Sequence, residues 1–348
     1  MSFEECPELS VIVPVYNEEG NLIPFLSGIS RQREVRLEVI VSDGASTDGS
    51  VEAALKYAED APFKVRVIGG GKGRGGQLNR GAEMAQAATL LFLHVDSGFE
   101  DPLALRKGLD ALRVAAREGG KVAGRFALRF EFEGEAPLPY RFYGAKATLD
   151  RPGCTHGDQG FMLSREFFYQ AGPYDTTLPL MEDTFLAERV REVGRWLLFP
   201  SRINTSPRRF LAEGLLPRQT LNAVLMNLAG IGQLSLIHSL KRSYRSQDTA
   251  RRLRLQPFLV QIGERLAAYP PRERWRFWCR TGSYVRSNAW QIPFFLDLLT
   301  GAVSEGKGGR CLALHDRLLG RAIDNRAGNW CAALLTWLWF RLTLYASH

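Results

Sequence analysis

The chain has 348 residues, of which 45% are apolar and 24% charged, the composition of a globular protein with a substantial core. Its five cysteines are odd in number and scattered, with no Cys-x-x-Cys pair, which excludes a compact disulfide framework and favours a reduced, cytoplasmic setting. Three acidic residues precede the first apolar run, so no secretory leader is expected. The formal charge of +8 suits phosphorylated ligands, an anionic membrane surface or nucleic acid, and charge alone does not choose among them.

The first ninety residues predict three successive strand-turn-helix units. Repetition of this unit favours an α/β fold with a largely parallel sheet, whose loops gather on one edge. Asp43 ends the second strand, and Asp48 is a plausible N-terminal cap for the helix that follows it. The predicted strands are Leu9–Val15, Val35–Ser42 and Lys64–Ile68, and the predicted helices begin at Asn21, at Ser50 and at about Gln77.

A glycine-rich loop, residues 69–76, separates the third strand from its helix. Its backbone amides, with Lys72 and Arg74 beside them, could hold a pyrophosphate at the start of the helix. The loop is not a Walker A motif, because no Ser or Thr follows the lysine. A flexible surface loop with two solvated charges is the alternative.

The fourth strand is predicted from Leu90 to Val95, a continuous apolar run that suits a strand covered by helices on both faces. It stops at Asp96, where open α/β sheets place their ligands. We therefore expect Asp96 to face a cation or hydrogen-bond donors in a cleft. The alternative is a carboxylate that caps the next turn.

Two later stretches carry further polar candidates. Asp158 and Gln159 lie in a glycine-rich loop before an apolar strand. Glu182 and Asp183 fall in the first turn of a predicted helix, where the helix dipole favours negative charge, so capping is one interpretation of the pair. An alternating segment, Phe126–Phe132, predicts another strand before both stretches.

Beyond residue 240 the pattern predicts a helical extension, after an apolar packing helix at Gln219–Leu240. Six of the seven tryptophans lie there, and arginines interleave with the first two, Trp275 and Trp278. This is compatible with an interfacial helix on anionic lipid, but aromatic core residues beside solvated arginines are the favoured interpretation. A dimer interface is a third option.

Three segments together resemble the signatures of family 2 glycosyltransferases with the GT-A fold. In order they are VIVPVYNEE (11–19), VIVSDGASTDGS (39–50) and LHVD (93–96). The likeness is closest to a bacterial subgroup associated with radical SAM and selenium-related genes. It continues through GDQG (157–160), LPLMED (178–183) and TSPRRF (205–210), and covers roughly residues 8 to 240.

The resemblance implies a donor site and a metal. The first loop, with Pro14, Tyr16 and Glu18, would lie along the nucleotide, and Asp43 would contact its base or ribose. Lys72 and Arg74 complete the predicted donor-binding set. Asp96 matches the last acid of the Asp-x-Asp motif, which holds Mg²⁺ or Mn²⁺ against the two phosphates. His94 stands where the first Asp usually is, so either Asp96 holds the metal nearly alone or metal dependence is weak.

The resemblance also implies roles on the acceptor side. Asp158 and Gln159 would approach the acceptor or the donor sugar. Asp183 matches the general base of an inverting transferase, with Glu182 positioning the substrate or the loop. The Gln-x-x-Arg-Trp motif of processive synthases is absent from the sequence, which predicts single addition.

The predicted protein is therefore a metal-assisted, inverting glycosyltransferase, with a GT-A domain over residues 1–240 and a helical extension over 241–348. Its expected partners are a nucleotide-sugar donor and a small or lipid-linked acceptor, without nucleic acid. We expect it in the cytoplasm, with contact to the inner membrane face or a homodimer as further options. A nucleotidyltransferase or a noncatalytic nucleotide-sugar-binding, membrane-docking protein is the alternative.

Overall fold

A computed structural model of the protein describes residues 6–178, 180–245 and 252–346. The chain forms two compact units, and the boundary between them in the sequence falls between Ser206 and Pro207. Pro179, within one of the motif segments, and residues 246–251, within the predicted helical extension, lie outside the described residues.

The first unit is built on one mixed sheet, which confirms the predicted α/β class. Its strand order is β3-β2-β1-β4-β7-β6-β8-β5. β1 pairs in parallel with β2 and β4, and β2 with β3, as the repeated strand-helix units predict. β7 is antiparallel to both β4 and β6, so the second half of the sheet is not parallel throughout. The strands are β1 (Leu9–Val15), β2 (Leu37–Asp43), β3 (Lys64–Ile68), β4 (Thr89–Phe92), β5 (Ser97–Gly98), β6 (Val122–Phe130), β7 (Phe161–Ser164) and β8 (Arg195–Thr205).

Helices cover the sheet and account for its continuous apolar strands. All seven residues of β2 are buried, as expected for a strand between two helical layers. Helix α3 approaches β1 so closely that a Cβ atom on Gly81 would lie 2.3 Å from Ile12, so only glycine fits there. The helices of this unit are α1 (Glu19–Ser30), α2 (Ser50–Asp60), α3 (Arg74–Met84), α4 (Ala104–Arg117), α5 (Leu138–Ala147), α6 (Arg165–Ala171) and α7 (Glu182–Val193).

The core beneath β6 is aromatic. Phe126 is fully buried and meets Phe99 and Phe199 edge-on, each with ring centroids 4.9 Å apart. Burial of one such ring contributes about 1.5–3 kcal/mol. Its neighbour Arg125 points to the other face and donates to the carbonyls of Ala147 and Leu149, the latter at 2.9 Å. This buried guanidinium therefore closes the end of α5 and fixes the chain that leads to the polar loop at 154–160.

Several boundaries differ from the sequence prediction. β4 ends at Phe92, so His94 and Asp96 lie in the turn beyond it and not in a strand. Helix α3 begins at Arg74 and not near Gln77, because the glycine-rich segment itself adopts the first helical turn. The N-cap of α2 is Gly49 and not Asp48. The Asp48 carboxylate instead accepts from the backbone N–H groups of Ser50 and Glu19, both at 3.1 Å, and so joins the starts of α1 and α2.

The second unit is helical, which confirms the predicted C-terminal helical region. The predicted single helix at Gln219–Leu240 is two helices, because the chain turns at Gly232, where φ is +73°. These two helices pack with α12 and α11, so the compact units divide after Ser206 and not after residue 240. The helices are α8 (Arg208–Glu213), α9 (Leu215–Gly230), α10 (Leu234–Arg245), α11 (Gln256–Ala267), α12 (Pro271–Ser287), α13 (Gln291–Leu299), α14 (Arg310–Leu314), α15 (Gly320–Ile323) and α16 (Arg326–Ala346).

Over residues 6–178, 180–245 and 252–346, none of the helices combines the length and the hydropathy needed to cross a bilayer.

Candidate active site

The candidate site lies at the edge of the sheet where β1, β2 and β4 end. These strands are neighbours and parallel, so their carboxyl ends open at one edge, the usual ligand position in such sheets. Leu93 extends β4 by donating to the carbonyl of Ile12 at 3.0 Å, and the chain then turns at Asp96. The loop 154–160 and the start of α7 carry the remaining predicted residues.

Asp43, predicted to contact the donor, is buried at the end of β2 and folded back on its own loop. Its carboxylate accepts from the backbone N–H groups of Ala45, at 2.9 Å, and Ser46, at 3.1 Å. Asn17 then joins this loop to the one after β1, since its side-chain oxygen accepts from the N–H of Thr47 at 2.8 Å. The two loops along the predicted nucleotide site are therefore held as one unit.

The structure adds Gln77, which the sequence analysis did not single out. This amide is buried and donates to the carbonyls of Val15, at 2.7 Å, and Ser42, at 2.8 Å. It therefore binds the ends of β1 and β2 together from helix α3. Sequence reasoning missed it because a glutamine in the first turns of a helix normally faces solvent.

Tyr16 and Lys72, two predicted donor contacts from distant segments, lie together at the surface. The Lys72 ammonium stands 3.9 Å from the centroid of the Tyr16 ring, within the range of a cation–π contact. The other two residues of the first loop have structural partners. Pro14 lies inside β1 opposite Ser42, and the Glu18 carboxylate accepts from the side chain of Asn21 at 2.6 Å, at the start of α1.

Arg74 contacts the acid pair and so links the glycine-rich loop to the predicted base. Its guanidinium donates to Glu182 and lies 3.6 Å from a carboxylate oxygen of Asp183. Burial lowers the pKa of Arg74, but the charges of Glu182 and Asp183 outweigh burial and hold that pKa above its usual value. Arg74 was predicted to contact the donor phosphates. In the structure its side chain contacts Glu182 and Asp183, which were predicted to act on the acceptor.

Asp183, at the start of α7, accepts two backbone hydrogen bonds and forms an ion pair with Arg74. One carboxylate oxygen accepts from the N–H of Gly157 at 2.7 Å, and the other accepts from the N–H of Thr184 at 2.9 Å. Burial raises the pKa of Asp183, but Arg74, His156 and the Gly157 hydrogen bond outweigh it, so the pKa lies below its ordinary value. The residue therefore stays ionised in the first turn of α7, where the helix dipole favours negative charge, but it is not the N-cap, which is Met181.

Gly157 lies between the side chains of Asp183 and His94. A Cβ atom on Gly157 would lie 2.8 Å from the Asp183 carboxylate and 3.2 Å from the Nε2 atom of His94. Only glycine leaves room for these three groups to meet. Burial and then the charge of Arg74 lower the pKa of His94, so the imidazole is neutral at pH 7.

Asp158 lies in the loop 154–160 and has one unsatisfied carboxylate oxygen. This oxygen is buried without a hydrogen bond. Burial, followed by the charges of Asp183 and Asp96, raises the pKa of Asp158 to about 7. The charge of Asp96 acts on Asp158, so the two carboxyl groups lie within electrostatic range of each other, and a hard metal ion that both could bind would neutralise them. Among the described residues, no group of three or more His, Cys, Asp or Glu side chains is arranged around a single metal position.

Gln159, predicted to approach the acceptor, lies under the loop and not in the cleft. Its amide donates to the carbonyl of Ala147 at 2.6 Å and accepts from the N–H of His156 at 2.9 Å. Both ends of the fully buried side chain are thus used to brace the loop. Gln159 has this position because residues 159 and 160 are buried. The polar pattern of the loop did not indicate that burial.

A second group missed by the sequence analysis lines the loop from α5. The Nδ1 atom of His156 lies 3.1 Å from the Thr184 hydroxyl, and its ring stacks at 6.3 Å on Tyr143. Lys146 lies 5.6 Å from the same tyrosine ring, and burial lowers its pKa. No local sequence pattern indicates this contact between α5 and the loop, because the two segments are separated in the chain and meet only in the folded unit.

Residues 10–170 match the glycosyl transferase family 2 profile. This segment is therefore a family 2 glycosyltransferase domain. The match confirms the family that the sequence motifs predict, and the sheet order described above agrees with its GT-A fold. The radical SAM-associated subgroup stays a prediction.

Three curated relatives illustrate the likeness. The chain is 30% identical to the putative glycosyltransferase EpsH of Bacillus subtilis, over 38% of this chain and 37% of that protein. It is 35% identical to a dolichyl-phosphate beta-glucosyltransferase of Drosophila melanogaster, over 34% and 38% respectively. It is 27% identical to an undecaprenyl-phosphate 4-deoxy-4-formamido-L-arabinose transferase of Photorhabdus laumondii, over 55% and 60%. The matched segments thus span less than two thirds of each relative.

Among solved structures, the chain is similar to the mannosyltransferase PcManGT of Pyrobaculum calidifontis in complex with GDP-Man and Mn²⁺. The identity is 20% and the TM-score 0.48, with 97% of this chain and 88% of that chain covered.

Proposed function

We propose that the protein transfers a sugar from a nucleoside diphosphate donor to an acceptor hydroxyl. One observation carries the proposal: the charges of Asp96, just after β4, and of Asp183, at the start of α7, both act on Asp158 in the loop 154–160, and Asp183 is ionised and held by Gly157 and Arg74. The family 2 domain over residues 10–170 supports the same chemistry.

The donor would lie across the joined loops after β1 and β2. Asp43 and the backbone around Tyr16 would face the nucleoside, with Lys72 above the diphosphate. Asp96 and Asp158 would hold Mg²⁺ or Mn²⁺, because both offer hard carboxylate oxygens and Asp158 has one buried oxygen without a hydrogen bond. A cation bound there supplies positive charge to the departing diphosphate.

Asp183 would act as the base. As the acceptor oxygen forms its bond to the anomeric carbon, the bond to the diphosphate breaks, and the hydroxyl proton moves to an Asp183 carboxylate oxygen. The two backbone hydrogen bonds and the ion pair with Arg74 fix the orientation of Asp183, and its lowered pKa keeps it ionised and able to accept a proton. Attack from the face opposite the leaving group predicts inversion, and the absence of the Gln-x-x-Arg-Trp motif from the sequence predicts single addition.

The acceptor would be a small molecule or a lipid-linked one. Two relatives are named as transferases acting on dolichyl phosphate and on undecaprenyl phosphate, which supports a lipid-linked acceptor. We further propose a cytoplasmic protein that contacts the inner face of the membrane, with a homodimer as the alternative use of its second unit. No nucleic-acid partner is proposed.

Two other functions share part of this geometry. A nucleotidyltransferase would use the donor loops and a metal carboxylate without a base at Asp183. A noncatalytic nucleotide-sugar-binding protein would keep Asp43 and tolerate the loss of Asp183. The acid held by Arg74 and Gly157 favours the glycosyltransferase over both.

The experiment is a calorimetric titration with UDP, GDP, CDP and dTDP, each with and without Mn²⁺, on wild type, Asp96→Ala and Asp183→Asn. We expect metal-dependent binding of one diphosphate that Asp96→Ala abolishes and Asp183→Asn retains. With the matching sugar donor, Asp183→Asn should lower donor turnover by about 10²–10⁴-fold.

Asp110→Asn is the matched control, since this exposed acid pairs with arginines on its own helix α4. It should leave both binding and turnover unchanged. Binding of no diphosphate by the wild type would overturn the proposal, and equal turnover in Asp183→Asn would remove the base from it.

A further inference from the structure

The second unit presents apolar side chains to its surroundings on an unusual scale. Helix α16 has 21 residues and is therefore about 30 Å long. Its inner side is identified by contacts with α12: Ala333 is buried beside Gly282, and the Phe340 ring lies 5.6 Å from that of Trp278. The opposite side should be polar if it met only water.

That outward side is apolar instead. Leu334, Leu338 and Leu342, spaced four residues apart on one stripe, have 57%, 41% and 67% of their surface exposed. Trp337 and Trp339 flank the stripe, and each is 40% exposed. A helix that is apolar on both sides, with one side uncovered, indicates a surface that another apolar phase covers.

Other helices of the unit repeat the feature. On α13, Phe294 is buried, whereas Ile292, Leu296 and Leu299 are exposed at the spacing of one helical stripe. Leu314 and Leu318 continue it, four residues apart, on and after α14, which packs against α13. The exposed apolar residues of the second unit are therefore ordered in stripes, which scattered surface leucines would not be.

Positive charge accompanies these stripes. The first turns of α12 expose Arg272, Arg274 and Arg276 around the exposed ring of Trp275, with Glu273 as the acidic residue among them. Arginine stems carry apolar surface up to a charged head, and tryptophan prefers the boundary between water and hydrocarbon. From the sequence, the tryptophans of this unit were predicted to be core residues. Trp290 is buried, as predicted, but Trp275, Trp330, Trp337 and Trp339 are exposed, so the prediction is wrong for these four.

We propose that the helices of the second unit dock on the surface of an anionic phospholipid bilayer. Leucine and tryptophan side chains of α13 and α16 enter the interfacial region, and the arginines of α12 contact acidic headgroups. The pairing of apolar stripes with exposed arginines selects an anionic lipid surface over a second copy of the chain, whose face would present the same positive charge. The inference concerns the second unit alone and does not depend on the chemistry proposed for the first.

The test is flotation of the full-length protein with vesicles of phosphatidylcholine alone or with about one third phosphatidylglycerol. The wild type should float with the anionic vesicles and less with the neutral ones. The triple variant L334E/L338E/L342E should lose about tenfold or more of its vesicle partitioning. The triple variant R272Q/R274Q/R276Q should lose the preference for anionic lipid.

The matched control is L55E/V114E/V193E, three exposed apolar residues on helices α2, α4 and α7 of the first unit. It should float as the wild type does. Because all the changed residues are exposed, thermal melts should show that each variant is folded.

Sedimentation equilibrium without vesicles gives the opposing outcome. A stable dimer that L334E/L338E/L342E converts to a monomer, with no flotation of the wild type, would overturn the proposal in favour of a second copy. Equal flotation of wild type and L334E/L338E/L342E would overturn it as well. Neither result bears on nucleotide binding, which the calorimetric titration measures separately.

Discussion

The two compact units treat polar and apolar groups in opposite ways. The first unit buries charged and polar side chains at one edge of its sheet, among them Asp43, Gln77 and Glu182, and provides partners for them. The second unit leaves rows of leucine and tryptophan exposed on helices that are otherwise well packed. Burying a polar group costs free energy unless it is paired, and exposing an apolar row costs free energy unless something covers it. In each unit, the proposed functional region is the place where the usual arrangement, with polar groups outside and apolar groups inside, is reversed.

The largest effect in the first unit is expected from a substitution that fills the space beside Asp183, the proposed base. In Gly157→Ala the new methyl group would lie 2.8 Å from the Asp183 carboxylate, so the carboxylate must move. We expect donor turnover to fall by about 10²-fold, because displacement of a catalytic group by about 1 Å costs that much. Turnover with the matching sugar donor, alongside calorimetric binding of its diphosphate, measures the effect.

Gly20→Ala on helix α1 is the control for this variant, because a Cβ atom there meets no neighbour within 4 Å. It should retain full turnover. A fully active Gly157→Ala enzyme would contradict the assignment of Asp183, whereas lost diphosphate binding would move Gly157 to the donor side.

The second unit also contains one well-satisfied buried acid, which breaks the simple contrast. Asp297 on α13 accepts from the backbone N–H groups of Cys311, at 2.9 Å, and Leu312, at 2.8 Å, and so anchors the start of α14. Burial raises its pKa, but these hydrogen bonds outweigh burial and lower it. Asp297→Asn should cost about 2 kcal/mol of the free energy of unfolding, measured by urea denaturation at pH 7.

The pH dependence gives a second reading of the same variant. A carboxyl group whose pKa is lowered in the folded state stabilises the protein above its unfolded pKa of about 3.9, and that contribution is lost as the pH falls through the folded value. The difference between wild type and Asp297→Asn should therefore be constant from pH 7 to about pH 5 and shrink below about pH 4. Asp324→Asn, at an exposed acid paired with Arg286, should show a much smaller difference throughout.

The smallest effect is expected for a substitution on the exposed apolar side of α16, compared with one on its buried side. Leu338 lies on the outward stripe of α16, so Leu338→Gln removes no core contact and should change the free energy of unfolding by about 0.5 kcal/mol or less. Phe340→Gln, two residues away on the buried side against Trp278, should cost several times more in the same urea titration. Equal losses for the two would show that the leucine stripe is covered within the folded chain.

Much of the site was predictable because its residues lie within short, ordered motifs. The strand that ends in Asp43, the run that ends near Asp96 and the acid pair at 182–183 are each visible in a few consecutive residues. Local pattern also predicted the repeated strand-helix units and the helical C-terminal region, since these depend on apolar spacing and on Gly and Pro breaks.

The sequence alone therefore determined the fold class, the family and the identities of the charged candidates. Only the tertiary structure decided which of these groups meet. Arg74 reaches Glu182 from 108 residues away, Gln77 joins two strands from a helix, and Gln159 turns beneath its loop. It also decided that four tryptophans of the second unit, Trp275, Trp330, Trp337 and Trp339, are exposed, because periodicity shows that a helix has an apolar stripe but not whether a neighbour covers it. Contacts between residues far apart in the chain depend on how helices and strands pack, and no local pattern records that packing.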